Sequence, residues 1–176
     1  MSEREFLAVG IAVITISDTR VVADDKSGQT LVDRLAEAGH RLAGRLIVKD
    51  DIRAIRAATK KFAADKAVDV IITTGGTGLT GRDVTIEAMR PLFDKEIEGF
   101  GVIFHLVSFA KIKTSTMQSR ATAGIVRGKY VFCLPGSPGA CRDGWDEILK
   151  YQLDYRNKPC NFIEIMPRLD EHLKRK

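Results

Sequence analysis

Groups that could hold a phosphate are concentrated between Thr73 and Thr85, where the sequence reads TTGGTGLTGRDVT. Gly75, Gly76 and Gly78 permit positive φ angles and a close approach of the backbone to a ligand, so successive N–H groups can point at an anion. Asp83 follows these glycines and precedes apolar residues at helical spacing. We therefore predict a phosphate-binding turn between a strand and a helix. A tight turn with Asp83 as an ordinary helix N-cap is the alternative.

Three strand-like segments could place this turn at the edge of a sheet. Leu7–Ile16 and Val68–Thr73 are apolar and β-branched, as is typical of strands covered on both faces, and Arg41–Val48 alternates between apolar and polar residues. Each segment precedes a stretch with helical periodicity. Three strand–helix units of this length predict an α/β fold, a three-layer α/β/α sandwich with a mostly parallel central sheet.

The ends of the predicted helices carry residues that favour capping. Ser27 is the predicted N-cap of the first helix, and Gly39 is its predicted stop signal. The second helix is predicted to begin after Asp51 or Asp50, either of which could accept a hydrogen bond from the first helical turn.

Acidic residues follow all three predicted strands, at Asp18, Asp50 and Asp83. Parallel sheets bind ligands beyond the carboxyl ends of their strands, so we expect these side chains and the neighbouring Ser17 to lie at one ligand crevice. Coordination of a metal ion that is bridged to phosphates would explain three acids at one edge. Solvated loop acids and helix caps are the alternative.

The second half of the chain predicts a helix from Glu96 to about Ile112 and a pair of strands around Arg127–Lys129. Between them, residues 114–122 are rich in hydroxyl groups and include Arg120, which could clamp a phosphate. A solvated loop or a helix cap is the alternative. A rigid turn, Pro135–Gly139, closes the strand pair and leads into another helix.

The composition fits a single domain over residues 1–176, with residues 154–176 as a C-terminal extension that includes a predicted edge strand at Asn161–Ile165. The apolar run Phe6–Ile16 is too short for a membrane span and lacks the flanks of a signal peptide, so we expect a cytoplasmic protein with no membrane partner. The net charge is +5. The basic residues of the second helix have no interleaved aromatic residues, so we expect no nucleic-acid partner.

The position of the glycines excludes two common classes of nucleotide-binding protein. A P-loop NTPase carries a lysine directly after its glycines, and none follows GGTGLTG. A Rossmann dehydrogenase carries its glycines after the first strand, whereas this chain places them after the third.

With these motifs, the chain resembles the molybdenum cofactor biosynthesis family that includes MogA, MoaB and the G domains of gephyrin-type proteins. The similarity covers nearly the whole chain, and it rests on ITISD at 14–18, TTGGTG at 73–78, RDVT at 82–85 and LPGSP at 134–138. Three further segments resemble the MoaB branch in particular: EGFG at 98–101, TSTMQSR at 114–120 and KPCNF at 158–162.

The resemblance implies an enzyme that adenylylates molybdopterin, with ATP and molybdopterin as substrates and Mg²⁺ as cofactor. Two aspartates matter most in the family, and they match Asp50 and Asp83, which would act on the metal through Mg-ATP. Lys49 stands where active relatives usually have proline, which implies a less rigid loop. The implied substrate-binding residues are Ser17, Asp18, Thr74, Gly75, Gly76, Thr77, Gly78, Ser119, Arg120, Pro135, Gly136, Ser137 and Pro138.

The resemblance also implies self-association as a trimer or, in the MoaB branch, as a hexamer built from two trimers. Apolar positions in the C-terminal tail and on the predicted helix faces are compatible with a partner subunit. A non-catalytic molybdopterin-binding or scaffold protein of the MoaB type is the alternative function. That alternative predicts tight pterin binding without release of pyrophosphate.

Overall fold

A computed structural model describes residues 4–174, and residues 1–3 and 175–176 lie outside it. Six strands form one sheet: β1 (Gly10–Ile16), β2 (Arg41–Val48), β3 (Val70–Thr74), β4 (Lys95–Glu96), β5 (Thr122–Val126) and β6 (Lys129–Leu134). Their order is β2-β1-β3-β6-β5-β4. The first four in this order are parallel to one another, and β5 is antiparallel to both of its neighbours. The predicted mostly parallel sheet is confirmed.

Helices precede, join and follow these strands: α1 (Lys26–Glu37), α2 (Ile52–Ala64), α3 (Thr85–Met89), α4 (Glu98–Ile112), α5 (Pro138–Gly144), α6 (Lys150–Gln152), α7 (Phe162–Ile165) and α8 (Glu171–Lys174). A π-helical turn, Trp145–Leu149, joins α5 to α6. Short 3₁₀ turns lie at Val22–Asp24, Arg90–Leu92, Lys113–Gln118 and Met166–Arg168. Over residues 4–174, none of these helices has the length and apolar character needed to cross a lipid bilayer.

β1 shows how the sheet separates two helical layers. It lies inside the sheet and is buried along its whole length. Ile11 and Val13 pack in one hydrophobic cluster with residues of α1, α4 and α5, whereas Ala12 and Ile14 pack in a second cluster with residues of α2 and α3. Because successive side chains of a strand point to opposite faces, each face meets its own helices. The predicted three-layer sandwich is confirmed.

The N-cap of α1 is Asp25, so the prediction of Ser27 is wrong. The carboxylate of Asp25 accepts a hydrogen bond from the N–H of Gly28 at 2.9 Å. Ser27 lies within the first helical turn, and its hydroxyl oxygen accepts a hydrogen bond from Arg20 at 2.6 Å instead. Gly39, with φ of 89°, follows the end of α1 as predicted.

Asp51, and not Asp50, is the N-cap of α2. Its carboxylate accepts a hydrogen bond from the N–H of Ala54 at 2.8 Å, which leaves Asp50 available for other contacts. The alternative that Asp83 is the N-cap of α3 is wrong. Val84 holds that position without any side-chain cap, because the carboxylate of Asp83 turns back to Thr80.

The predicted edge strand at Asn161–Ile165 is also wrong, since this segment forms α7. The side chain of Asn161 accepts a hydrogen bond from the N–H of Glu164 at 2.9 Å, and this cap starts a helix. The hydroxyl of Tyr130 on β6 donates to the carbonyl oxygen of Phe162 at 2.8 Å. The C-terminal extension therefore packs against the sheet with a helical turn instead of adding a strand.

Candidate functional site

A crevice of ≈ 610 Å³ lies where β1, β2, β3 and β6 end. Because these strands are parallel, their carboxyl ends and the loops that follow meet at one edge of the sheet. Six predicted site residues come together in its wall: Ser17, Asp18, Asp50, Gly75, Gly76 and Gly136. Ile16, Thr19, Arg20 and Arg82 complete the wall.

The loop between β3 and α3, residues 75–84, is called the glycine loop below. Gly75 and Gly76 have φ angles of 105° and 65°, which residues with a side chain rarely adopt. A Cβ on Gly75 would lie 2.3 Å from the carbonyl oxygen of Ile16, and a Cβ on Gly76 would lie 2.2 Å from Oγ1 of Thr85. Glycine therefore lets the loop run directly against β1 and α3.

Thr85 donates hydrogen bonds to two carbonyl oxygens of the glycine loop. Its Oγ1 donates a hydrogen bond to the carbonyl oxygen of Gly75 at 2.8 Å, and its N–H donates to the carbonyl oxygen of Gly76 at 3.0 Å. Thr85 is fully buried, so water does not compete for these bonds. The carbonyl oxygens of Gly75 and Gly76 therefore both have hydrogen-bond partners within the fold.

The turn after β6 packs against the start of the glycine loop. Oγ1 of Thr74 donates to the carbonyl oxygen of Pro135 at 2.9 Å, and the N–H of Gly75 donates to that of Leu134 at 3.0 Å. Gly136 lies so close that a Cβ there would be 3.1 Å from Cα of Gly75. The two predicted ligand loops thus form one surface.

Ser137 and Pro138 begin α5 beside this surface. The hydroxyl oxygen of Ser137 accepts a hydrogen bond from the N–H of Ala140 at 3.1 Å and caps the helix, and Pro138 is its first residue. Both residues thus start a helix next to Gly136, and substrate binding by either one stays a prediction.

Asp50 reaches from the loop after β2 to the glycine loop. Its Oδ1 accepts a hydrogen bond from the N–H of Val84 at 3.3 Å and would lie 2.9 Å from a Cβ at Gly76. Burial raises the pKa of Asp50, and the charges of Asp83 and Asp18 raise it further against the hydrogen bond from Val84. A cation bound here would relieve the repulsion among these carboxylates.

Asp83 contacts the middle of the glycine loop. Its Oδ2 accepts hydrogen bonds from the N–H and hydroxyl of Thr80 at 2.9 and 2.7 Å, and it would lie 2.6 Å from a Cβ at Gly78. Burial acts to raise the pKa of Asp83, but the hydrogen bonds from Thr80 and Gly78 and the charge of Arg120 outweigh it and lower the pKa. Asp83 is therefore the more firmly ionised of the two predicted catalytic acids.

Asp18 and Arg82 form an ion pair at the crevice wall. The hydrogen bond from Arg82 is the main reason that the pKa of Asp18 is lowered. Oδ1 of Asp18 also accepts a hydrogen bond from the N–H of Asp50 at 3.2 Å. The sequence did not single out Arg82. The sequence feature that could have indicated Arg82 is its position directly before an acidic residue in a glycine-rich loop.

Arg20 is a second crevice residue that the sequence did not single out. Its Nη1 donates to the hydroxyl of Ser27 at 2.6 Å, and its Nη2 donates to the carbonyl oxygen of Gly136 at 3.1 Å. The hydroxyl oxygen of Ser17 accepts a hydrogen bond from the N–H of Arg20 at 3.2 Å. Arg20 therefore joins the loop after β1 to the turn after β6.

Arg120 braces the glycine loop. Its guanidinium donates to the carbonyl oxygens of Gly78 and Asp83 at 3.0 and 3.1 Å and forms an ion pair with Glu87. Its N–H donates to the carbonyl oxygen of Thr77 at 2.9 Å. The guanidinium thus holds the loop that carries Asp83, and a phosphate contact by Arg120 stays a prediction.

Ser119 is tied to α4. Its hydroxyl donates to the carbonyl oxygen of Thr116 at 3.2 Å, and its own carbonyl oxygen lies 3.0 Å from Nε2 of His105. Nδ1 of the same histidine lies 2.6 Å from the carbonyl oxygen of Gly101 on α4. Among the described residues that form the crevice wall, Ser119 is absent.

The donor set suits a cation that arrives with its own oxygen ligands. Within residues 4–174, no three or more His, Cys, Asp or Glu side chains have an arrangement that could hold a metal ion. Mg²⁺ is usually bound by one or two carboxylates together with water and substrate phosphates. Asp50, Arg20 and Arg82 lie in the crevice wall. Among the described residues of that wall Asp83 is absent, against the prediction, but its charge acts on Asp50. A cation beside Asp50 could therefore also be influenced by Asp83, and the two arginines supply positive charge for phosphate groups.

A family of domains with the description "Probable molybdopterin binding domain" matches this chain over residues 12–155. The chain belongs to this family. Its crevice, from Ile16 to Gly136, lies wholly within the matched range. The resemblance to molybdenum cofactor biosynthesis proteins is therefore confirmed, and the chain carries a molybdopterin-binding domain.

Individual members of the molybdopterin-binding family are similar over most of their length. Molybdenum cofactor biosynthesis protein B of Escherichia coli (strain K12) is 48% identical over 158 residues, which are 90% of this chain and 93% of that protein. The protein of the same name from Bacillus subtilis (strain 168) is 44% identical over 138 residues, which are 78% of this chain and 81% of that protein.

Solved structures of the molybdopterin-binding family share the fold. A crystal structure of molybdenum cofactor biosynthesis protein B has a TM-score of 0.86 at 41% identity and covers 96% of this chain and 99% of its own. The tungsten cofactor synthesizing protein MoaB from Pyrococcus furiosus has a TM-score of 0.68 at 39% identity, with coverages of 81% and 91%. The Mog protein from Mycobacterium ulcerans has a TM-score of 0.76 at 25% identity, with coverages of 92% and 99%.

Proposed function

We propose that this chain adenylylates molybdopterin with Mg-ATP. An oxygen of the terminal phosphate of molybdopterin attacks the α-phosphorus of ATP and forms a new P–O bond. The bond between the α- and β-phosphates breaks, and pyrophosphate leaves with the electron pair. The products are adenylyl-molybdopterin and pyrophosphate. Membership in a molybdopterin-binding family supports the first substrate, and the crevice supports the chemistry.

The observation that carries this proposal is that two carboxylates contact one glycine loop: Asp83 belongs to the loop, and Asp50 reaches it from the loop after β2. Asp50 contacts the loop at Val84, and Asp83 contacts it at Thr80. Their pKa values are shifted in opposite directions, upward for Asp50 and downward for Asp83. Phosphoryl transfer depends mainly on positioning and on stabilisation of charge. Carboxylates beside a glycine loop would support both by holding a cation near the phosphates.

Asp50 and Asp83 would hold the magnesium ion together with phosphate oxygens. When bound, Mg²⁺ would neutralise the charge that develops on the departing pyrophosphate. The lowered pKa of Asp83 supports this role, because a cation ligand must be ionised. Burial raises the pKa of Asp50 and the charges of Asp83 and Asp18 raise it further. A cation beside Asp50 would offset that repulsion and favour the ionised form.

The remaining chain residues would orient the phosphates and offset their charge. The N–H groups of Gly75, Thr80 and Val84 already donate within the fold. Other N–H groups of the glycine loop would bind phosphate oxygens, and Arg82 would add positive charge at the crevice wall. A helix N-terminus contributes only about 0.3–1 kcal/mol per exposed anion. Loss of one oriented transition-state donor typically costs about 3–4 kcal/mol. We therefore assign most of the effect to the loop and the charged side chains, and little to the start of α3.

The test is formation of pyrophosphate and adenylyl-molybdopterin by the purified chain with molybdopterin, ATP and Mg²⁺. We expect turnover by the wild type. Asp83→Asn should abolish turnover and leave molybdopterin binding nearly unchanged, because asparagine keeps the shape of the side chain and removes its charge. Asp33→Asn, at an exposed position of α1, is the control and should remain active. Loss of both turnover and pterin binding in Asp83→Asn would count against the assigned role.

A non-catalytic molybdopterin-binding protein is the alternative that this experiment separates. Asp50 and Asp83 already have hydrogen-bonding partners within the fold, at Val84 and Thr80. In a binding protein without catalytic activity, the only role of the two acids would be to stabilise the glycine loop through these hydrogen bonds. Saturable pterin binding by the wild type without any pyrophosphate release would establish this alternative.

We also propose that the chain self-associates through α4 as a trimer, or as a hexamer of two trimers. Val102, Leu106 and Phe109 recur at helical spacing on α4, and their exposed fractions are 60%, 63% and 49%. Phe100 and Phe104 of the same helix are buried in the core. A helix that is apolar on both its inner and outer faces favours a partner on the outer one.

A further inference from the structure

Arg82 is held at the crevice by a single acid. The hydrogen bond and the ion pair that the structure gives its guanidinium both go to Asp18. The side chain of Arg82 is 78% exposed, whereas that of Asp18 is 28% exposed. Exposed ion pairs contribute little free energy, so a stronger anion can displace the carboxylate at low cost.

Asp18 does not depend on Arg82 for its position. Arg82 contacts Oδ2 of Asp18, whereas Oδ1 accepts the hydrogen bond from the backbone N–H of Asp50 at 3.2 Å. Departure of the guanidinium would therefore free one carboxylate oxygen and leave the loop after β1 attached to the loop after β2. The side chain of Arg82 can therefore leave the ion pair while Asp18 keeps its position.

The other crevice arginine lacks this freedom. Arg20 joins α1 to the turn after β6 through its hydrogen bonds to the hydroxyl of Ser27 and the carbonyl oxygen of Gly136, at 2.6 and 3.1 Å. Turning Arg20 toward a ligand would break the connection between α1 and the turn after β6. Rotation of Arg82 toward a ligand would break only its contact with Asp18. Arg82 is therefore the crevice arginine that can rearrange when a ligand binds.

We propose that Arg82 changes partners when substrate binds, so that a substrate phosphate takes its guanidinium away from Asp18. The ligand is a phosphate ester or anhydride, and both the polyphosphate of a nucleotide and the terminal phosphate of molybdopterin belong to this class. In the free protein, Asp18 keeps the guanidinium beside the glycine loop and competes with phosphate for it. Arg82 is therefore a specificity-determining residue for the phosphate, and Asp18 sets its affinity.

The exchange also changes the charge around Asp50. While Arg82 is paired with Asp18, its positive charge offsets the carboxylates of Asp18 and Asp50. Once the guanidinium moves onto a phosphate, these two acids lack that compensation and attract a cation more strongly. Phosphate binding would thus favour cation binding at the same crevice. This inference rests on the proposed function, but its test requires only ligand binding.

The test is a double-mutant cycle on the binding of metal-free ATP, measured by calorimetry. Arg82→Gln should weaken binding about tenfold, because it removes a charge-assisted hydrogen bond. Asp18→Asn should tighten binding, because it removes the competitor for the guanidinium. In the double variant, Asp18→Asn should give much less tightening than it gives alone. Arg53→Gln, a matched loss of charge at an exposed position of α2, should change the affinity by less than about twofold.

Equal tightening by Asp18→Asn with and without Arg82, for ATP and for molybdopterin alike, would overturn the exchange, because it would show only the removal of a negative charge. Absence of any binding of metal-free ATP and of molybdopterin by the folded wild type would overturn it as well. Circular dichroism establishes that each variant is folded.

Two further arms separate the source of the phosphate and the proposed function. The cycle is repeated with molybdopterin and with its dephosphorylated form, and the coupling should appear only with the ligand whose phosphate Arg82 meets. Coupling in the cycle without any adenylyl transfer would support the exchange and overturn the proposed function. Adenylyl transfer with no coupling for either ligand would support the proposed function and overturn the exchange.

Discussion

The backbone N–H of Val84 donates a hydrogen bond to the carboxylate of Asp50 at 3.3 Å, and this bond joins the loop after β2 to the glycine loop after β3. The next residue, Asp51, has a different partner. Its carboxylate accepts a hydrogen bond from the N–H of Ala54 at 2.8 Å and caps α2. Two adjacent acids therefore serve different purposes, one at the crevice and one in the helix.

Asp50→Asn should lower adenylyl transfer by at least about a hundredfold, because charge that acts in the transition state is lost. The protein should stay folded, since asparagine retains an oxygen that can accept the hydrogen bond from Val84. Asp51→Asn is the matched control, because asparagine and aspartate cap helices equally well. Pyrophosphate release and thermal unfolding are measured for both variants. Equal losses of activity in the two variants would contradict the separate roles of these acids.

Gly76→Ala should disrupt the glycine loop and weaken ATP binding. Its φ of 65° is unfavourable for alanine, and the new Cβ would lie 2.2 Å from Oγ1 of Thr85 and 2.9 Å from Oδ1 of Asp50. Strain of this kind typically costs about 1–3 kcal/mol. Gly81→Ala, in the same loop, is the control because no described heavy atom lies within 4 Å of its Cβ. Calorimetry should show reduced affinity only for Gly76→Ala, and the same loss in both variants would refute this steric explanation.

Asp25→Asn should destabilise the fold strongly. The carboxylate is buried and contacts Oγ1 of Thr15 at 2.7 Å, the N–H of Gly28 at 2.9 Å and the guanidinium of Arg45 at 2.9 Å. Removal of one partner from a buried ion pair typically costs about 3–5 kcal/mol. Asp33→Asn, at an exposed position of the same helix, should change the free energy of unfolding by less than about 0.5 kcal/mol. Urea unfolding measures both variants, and similar values for the two would contradict the buried role of Asp25.

A comparison of the wild type with Asp25→Asn also tests how the stability of the fold depends on acid pH. Burial acts to raise the pKa of Asp25, but the hydrogen bonds from Arg45, Thr15 and Gly28 outweigh it and lower the pKa below 3.8. A lowered pKa in the folded state stabilises the protein above the pKa of the unfolded state. That stabilisation is lost as the pH falls from the unfolded pKa through the folded one. Below about pH 4, the stability of the wild type should therefore fall more steeply than that of Asp25→Asn.

Leu106→Glu should break the proposed self-association, because a charge on the exposed apolar face of α4 cannot be buried against a partner. Sedimentation velocity should give a trimer or hexamer for the wild type and a smaller species for this variant. Ala57→Glu, which adds the same charge to an exposed position of α2, should leave the assembly intact. A monomeric wild type would refute the proposed interface.

The sequence predicted the sheet because buried parallel strands carry continuous β-branched runs. β1 and β3 show this pattern, and both lie inside the sheet. The sequence was wrong where a short segment lacks a clear period. Asn161–Ile165 has too few residues to distinguish a strand from a helical turn, and the side-chain cap from Asn161 decided for the helix.

The sequence by itself determined the glycine loop, the acids that follow β1 and β2, and the family, because glycines, carboxylates and strand periodicity are local features. Only the tertiary structure decided which of these groups touch. Asp50 meets Val84 across 34 positions of the chain, and Arg82 meets Asp18 across 64. Such contacts depend on the order and register of the parallel strands that carry the loops. No local pattern specifies that geometry, because it is set when the buried faces of β1, β2 and β3 pack together.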